Sequence, residues 1–191
     1  MLKTKNLVLC ALFAAITCVL APVSIPIGIV PVSLATFAVM LSGIVLGAKW
    51  GTLSQLIYLV IGAVGLPVFS SYSGGVSKLA GPTGGYLVGY LALSFICGFV
   101  YYHFGKGKSI FKKYAAMIIS MIIGTAVLYA FGTFWFCLVT HTGFLAALAT
   151  CVVPFLIGDG IKMVAVCIIA PQIEFALSKI HFSDSKKQKI N

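Results

Sequence analysis

The chain holds three carboxylates in 191 residues, and one of them, Asp159, lies in an apolar run three residues before Lys162. On a helix, residues three apart share one face. A carboxylate accepts hydrogen bonds and a lysine ammonium donates three. The pair therefore suits a small solute that carries N–H donors together with a carbonyl or an anionic end. A charge at the centre of a bilayer costs at least ~2.5–3.5 kcal/mol. We read that cost as the mark of a ligand site, the alternative being an ion pair that only stabilises. Gly158 and Gly160 flank Asp159 and leave the backbone open to close approach. The other two carboxylates fall elsewhere: Glu174 toward the inner end of the last helix, and Asp184 in a polar tail.

A second group of residues points to the same side. The run Gly81-Pro82-Thr83-Gly84-Gly85-Tyr86 opens an apolar segment. Proline fits a first helical turn, and the N–H groups at such a start carry partial positive charge toward whatever faces them. Tyr86 and Tyr90 are four residues apart and can present one aromatic face. Membrane anchoring is the other reading for an interfacial tyrosine. Upstream, residues 67–83 form a stretch rich in Ser and Gly that carries Lys78, a composition that suits a mobile lid.

The elements that must position these residues follow from composition. Hydrophobic residues make up 61% of the chain and charged ones 8%, with a mean hydropathy of +1.13. Soluble domains carry about 25% charged residues, so lipid covers much of this chain. Apolar segments run over about 7–23, 32–48, 52–66, 84–104, 114–138 and 149–176. Taken as one helix, 32–66 would be ~52 Å long against a ~30 Å hydrocarbon core. The run Gly47-Ala48-Lys49-Trp50-Gly51 supplies the turn that divides it. The expectation is an all-α, six-span bundle over 1–180 with an outer Ser/Gly-rich lid loop. A polar basic tail at 181–191 and a retained first helix complete it. Both termini inside puts eleven of the thirteen lysines on the inner side, as the positive-inside rule requires. Lys78 and Lys162 are the exceptions.

The residues quoted so far also resemble a known family. The run from Pro31 to Gly47, Gly62-Ala-Val-Gly-Leu-Pro-Val-Phe69, Ser73-Gly74-Gly75, Gly81-Pro-Thr-Gly-Gly-Tyr86 and Gly158-Asp-Gly-Ile-Lys162 are similar to the BioY family of biotin transporters. The resemblance covers residues 7–176. It implies a substrate-capture subunit of an energy-coupling-factor importer that binds biotin from outside, without a cofactor. Its implied partners are a transmembrane scaffold subunit, two ATPase subunits and membrane lipid. The implied site is Asp159 and Lys162, enclosed by Tyr86 and the lid, with Phe69, Ser73, Gly74, Gly75, Lys78 and Gly84 as further contacts. Ala11 and Ala15 on the first helix are implied to dock the scaffold, internal packing being the alternative. The family's second-helix motif commonly has a glutamine where this chain has Ala35.

Biotin fits the residue chemistry, because it joins a ureido ring with two N–H donors and a carbonyl to a carboxylate tail. Which end meets the pair stays open at this level, as does another vitamin, such as thiamine or riboflavin. Other classes drop out. The thirteen basic residues are all lysines, without the arginine forks that read bases and phosphates. One membrane carboxylate is too few for an aspartyl protease. No phosphate loop or zinc-binding spacing is present, so no enzyme is expected.

Overall fold

The computed structural model describes residues 2–25 and 30–188, with side chains over 4–25 and 30–179. Helix α1 (Leu2–Leu20) leads into two-residue strands β1 (Ser24–Ile25) and β2 (Val32–Ser33), paired antiparallel with Ser24 opposite Ser33. Then come α2 (Ala35–Ala63), a single 3-10 turn at Ser70–Tyr72, α3 (Val76–Ala80), α4 (Gly84–Phe104), α5 (Ile110–Thr140), α6 (Phe144–Cys151) and α7 (Val153–Gln188). In lipid no water satisfies backbone polar groups, so long apolar segments close their hydrogen bonds internally as helices. α4, α5 and the stretch 144–179 are long and apolar enough to cross a membrane.

α2 also meets that length, yet it does not run straight. Gly47 has φ 81° and ψ 172°, a conformation that L side chains rarely adopt. The chain reverses there. Gln55 Nε2 donates to Ser42 Oγ at 2.9 Å, although 13 residues of straight helix would separate the two by ~20 Å. α2 is thus a hairpin of two arms, over 35–46 and 48–63. The Tyr102 ring covers Gly47, and Tyr102 Oη donates to Val45 O at 2.9 Å, which ties the turn to α4.

Polarity is inverted relative to a soluble protein. Ser42, Ser54, Gln55, Ser94, Ser120 and Thr133 are fully buried, while Ile157 is 78% and Leu145 81% exposed. Gln55 Nε2 also reaches Thr17 on α1, and Ser42 meets Ser94 on α4, so hydroxyls and one amide join three helices where apolar packing against lipid gives no drive. At the end of the bundle away from Asp159, Glu174 of α7 accepts from Lys113 of α5 at 2.8 Å and from Tyr101 of α4.

Several expectations change in detail. The segment 67–83 is built rather than irregular: it contains the 3-10 turn, α3 and a bridge between Phe69 and Ser73. The β1–β2 pairing arises in a stretch where Pro22 and Pro31 interrupt helix. α7 starts at Val153, after a separate α6, instead of at 149. Its backbone stays helical past Pro171 and into the expected tail as far as Gln188; residues 189–191 lie outside the described residues.

Candidate ligand site

The second and third turns of α7 carry Asp159 and Lys162, whose Oδ1 and Nζ lie 2.8 Å apart, with Asp159 3% and Lys162 8% exposed. Two other elements close on the pair. Lys162 Nζ donates to Ser33 O at 2.7 Å, where β2 ends, and to Thr36 Oγ1 at 2.9 Å in the first turn of α2. Thr36 Oγ1 in turn donates to Asp159 Oδ1 at 3.0 Å. From α5, the Tyr129 hydroxyl donates to Asp159 Oδ2.

Counting donors and acceptors decides what the pair can do. A lysine ammonium has three N–H donors, and all three are engaged here, by Asp159, Thr36 and Ser33. A carboxylate has about four acceptor positions. Lys162 and Thr36 occupy those of Oδ1, and Tyr129 takes one at Oδ2. One acceptor position remains, at Oδ2. The base of the site therefore offers acceptance to an N–H donor, while Lys162 clamps α7 to the start of α2.

This base belongs to a cavity of about 190 Å³. Aromatic walls come from Tyr86 and Tyr90 on α4, Tyr129 on α5, Phe155 on α7 and Phe69 below the lid. Phe69 is held edge-on by Tyr58, ring centroids 5.6 Å apart. Lys78, Thr83 and the serines 70, 71 and 73 line the mouth, and Lys78 is exposed. The two loops over the mouth are joined: Ser24 and Ser71 Oγ are 3.1 Å apart, and Ser71 N donates to Ser24 Oγ at 3.0 Å.

Of the nine ligand residues expected from the sequence, Asp159, Lys162, Tyr86, Lys78, Ser73 and Phe69 come together in this cavity. Gly74, Gly75 and Gly84 are not among its lining residues. They shape its frame instead. Gly75 takes φ 93° and ties back to Gly62 O at 2.7 Å, while Gly74 and Gly84 lie directly against the carbonyls of Leu66 and Leu79. The expected cradle of free N–H groups at the start of α4 is largely closed. Gly84, Tyr86 and Leu87 donate to the carbonyls of Gly81 and Thr83, and Trp135 Nε1 holds Gly81 O at 3.0 Å. Tyr86 turns its hydroxyl away from the pair, to Thr133 Oγ1 at 3.2 Å and Cys151 O at 3.4 Å, so only its ring serves the cavity. Sequence reading missed Thr36, Ser33 and Tyr129. Nothing local marks them, since they reach Asp159 and Lys162 across 30 to 129 residues.

Ala11 and Ala15 lie one turn apart on α1, and both are exposed between Leu7, Val8, Leu12 and Val19, each more than half exposed. Their side chains therefore face away from the bundle interior. Among the described residues no group of three His, Cys, Asp or Glu side chains is placed to hold a metal ion.

The BioY family model matches residues 1–179. A probable biotin transporter BioY of Pyrococcus horikoshii is 39% identical over 91% of this chain and 98% of that protein. The biotin transporter BioY of Thermotoga maritima is 38% identical over 89% of this chain and 96% of its own length. Among solved structures, the S-component for biotin from an ECF-type ABC transporter superposes with a TM-score of 0.80 at 29% identity, covering 90% of this chain and 91% of that one.

Proposed function

The chain belongs to the BioY family, and from that premise we propose that it captures biotin from outside the cell for import. It is a multi-pass membrane protein of the S-component kind and not an enzyme. The observation that carries the reading is the complementarity of the cavity's two ends. At the base, Asp159 offers a free acceptor position among buried aromatic rings; at the mouth, Lys78 offers an exposed ammonium. Biotin has the matching polarity. Its ureido N–H meets Asp159 Oδ2, its apolar fused rings lie against Tyr86, Tyr90 and Phe69, and its carboxylate points to Lys78. Thiamine, a cation, would bring like charge to that mouth.

The bundle crosses the membrane six times, through α1, the two arms of α2, α4, α5 and α7, with both termini in the cytoplasm. That orientation puts Lys49, Lys106, Lys108, Lys112 and Lys113 inside. Ala11 and Ala15 receive a transmembrane scaffold subunit, whose two ATPases supply the energy, because small exposed residues one turn apart let a partner helix approach closely. A ligand-protection panel tests the substrate: biotin alone should raise the thermal stability of the purified chain. Protection by thiamine or riboflavin instead would replace the reading.

A further inference from the structure

A second cavity, of about 610 Å³, opens between α5 and α7 on the flank of the bundle. Its α7 wall is a stripe at four-residue intervals, Gly160, Val164, Ile168 and Gln172, facing Tyr114 and Ile118 of α5. Val164 is 61% and Ile168 58% exposed, so no element among the described residues covers the stripe. From Gly160 to Gln172 the groove is ~18 Å long, close to the ~15 Å of one leaflet of a ~30 Å hydrocarbon core. The groove turns polar at its far end, where Gln172 and Tyr114 stand.

Beyond that end the same face of α7 carries a cation. Lys179 lies seven residues after Gln172, two turns on and back in line with it. Its Nζ sits 4.5 Å from the Phe175 ring centroid, leaning back toward the groove as helical side chains do. Of the lysines at this end, Lys113 pairs with Glu174 and Lys106 lies over the Tyr102 ring, while Lys112, two residues before Tyr114, is exposed. Glu174 lies near this mouth, but it is already matched by Lys113 and Tyr101.

We infer that this groove is a binding site for one anionic phospholipid of the leaflet away from the biotin cavity, with an acyl chain along Val164 and Ile168 and the phosphate at Lys179. The inference rests on α5 and α7 crossing a membrane and not on which solute the chain carries. The groove's length selects a chain within one leaflet, its lining selects hydrocarbon, and Lys179 selects the headgroup charge.

Native mass spectrometry of the chain released from nanodiscs of mixed phosphatidylglycerol and phosphatidylcholine tests it. The wild-type chain should retain one phosphatidylglycerol in preference to phosphatidylcholine. Val164→Trp should fill the groove and abolish retention. Lys179→Ala should reduce phosphatidylglycerol retention about fivefold, the effect of one lysine near a membrane surface. The thermal midpoint of both variants in detergent serves as the check on folding, and it should match that of the wild type. Equal retention of the two lipids by the wild type, or unchanged retention in the variants, would overturn the inference. So would release as a pair of chains without lipid, which would make the groove a contact between copies.

Discussion

Breaking the buried pair one side at a time should cost more than removing both charges. In Asp159→Asn, Lys162 keeps Ser33 O and Thr36 Oγ1 but loses its counter-charge while 8% exposed. In Lys162→Met, Asp159 keeps Thr36 and Tyr129 but stays an unpaired anion at 3% exposure. Stranding one buried charge costs ~3–5 kcal/mol, whereas replacing a buried pair by neutral side chains of similar volume is often neutral or stabilising. At ~2–4 °C per kcal/mol for a chain of this length, each single variant should lower Tm by roughly 6–20 °C. The double variant should recover most of that. Its coupling energy of at least ~3 kcal/mol corresponds to over a hundredfold in the folding equilibrium. Thermal unfolding in detergent of the four proteins, paired with biotin binding, gives both readouts. The double variant should be stable yet lose biotin binding, because the charged acceptor at the base is replaced by a neutral amide. Additive losses of Tm would refute the coupling. Biotin binding by the double variant would refute the site.

Three further outcomes follow from the same geometry. Tyr129→Phe removes the hydroxyl that holds Asp159 Oδ2 in place, so biotin affinity should fall because the acceptor is less well positioned. Tyr86→Phe, whose hydroxyl faces Thr133 and Cys151 instead, should change affinity far less; equal effects would remove Tyr129 from the site. Ala11→Leu with Ala15→Leu should stop the ATPase complex from co-purifying while leaving biotin binding intact, and normal co-purification would clear α1 of a docking role. In a chain lacking its native cysteines, single cysteines at 49 and 108 should label only after permeabilisation and one at 77 from outside. Labelling of 108 in intact cells would reverse the topology.

What the sequence made legible was local or additive. Asp159 and Lys162 stand out because charge is scarce and three residues is a helical interval. The break at Gly47 is readable because 32–66 is too long for one span and a lysine sits at its middle. Partners across the fold are not readable in this way. Thr36 and Tyr129 look like ordinary residues of apolar helices, and what makes them part of the site is tertiary contact over 123 and 30 residues. Helical rise puts Glu174 at the end of α7 away from Asp159, but nothing near it in sequence announces Lys113 or Tyr101. The start of α4 departs from expectation for a similar reason. Gly81, Pro82 and Thr83 read as an open helix end, yet they fold into a turn that consumes the N–H groups locally. The resemblance implies Gly74, Gly75 and Gly84 as contacts, yet none of them lines the cavity. Their work is to let Gly74 and Gly84 lie against backbone carbonyls while side chains around them reach the cavity.

We propose that this chain by itself holds biotin between Asp159 and the lid. Equilibrium binding of radiolabelled biotin to the purified chain, free of scaffold and ATPases, tests it most directly. One biotin should bind per chain, unlabelled thiamine and riboflavin should fail to compete, and Asp159→Asn should lose the binding. Saturable binding that survives Asp159→Asn unchanged, or no binding until the ATPase complex is added, would contradict it.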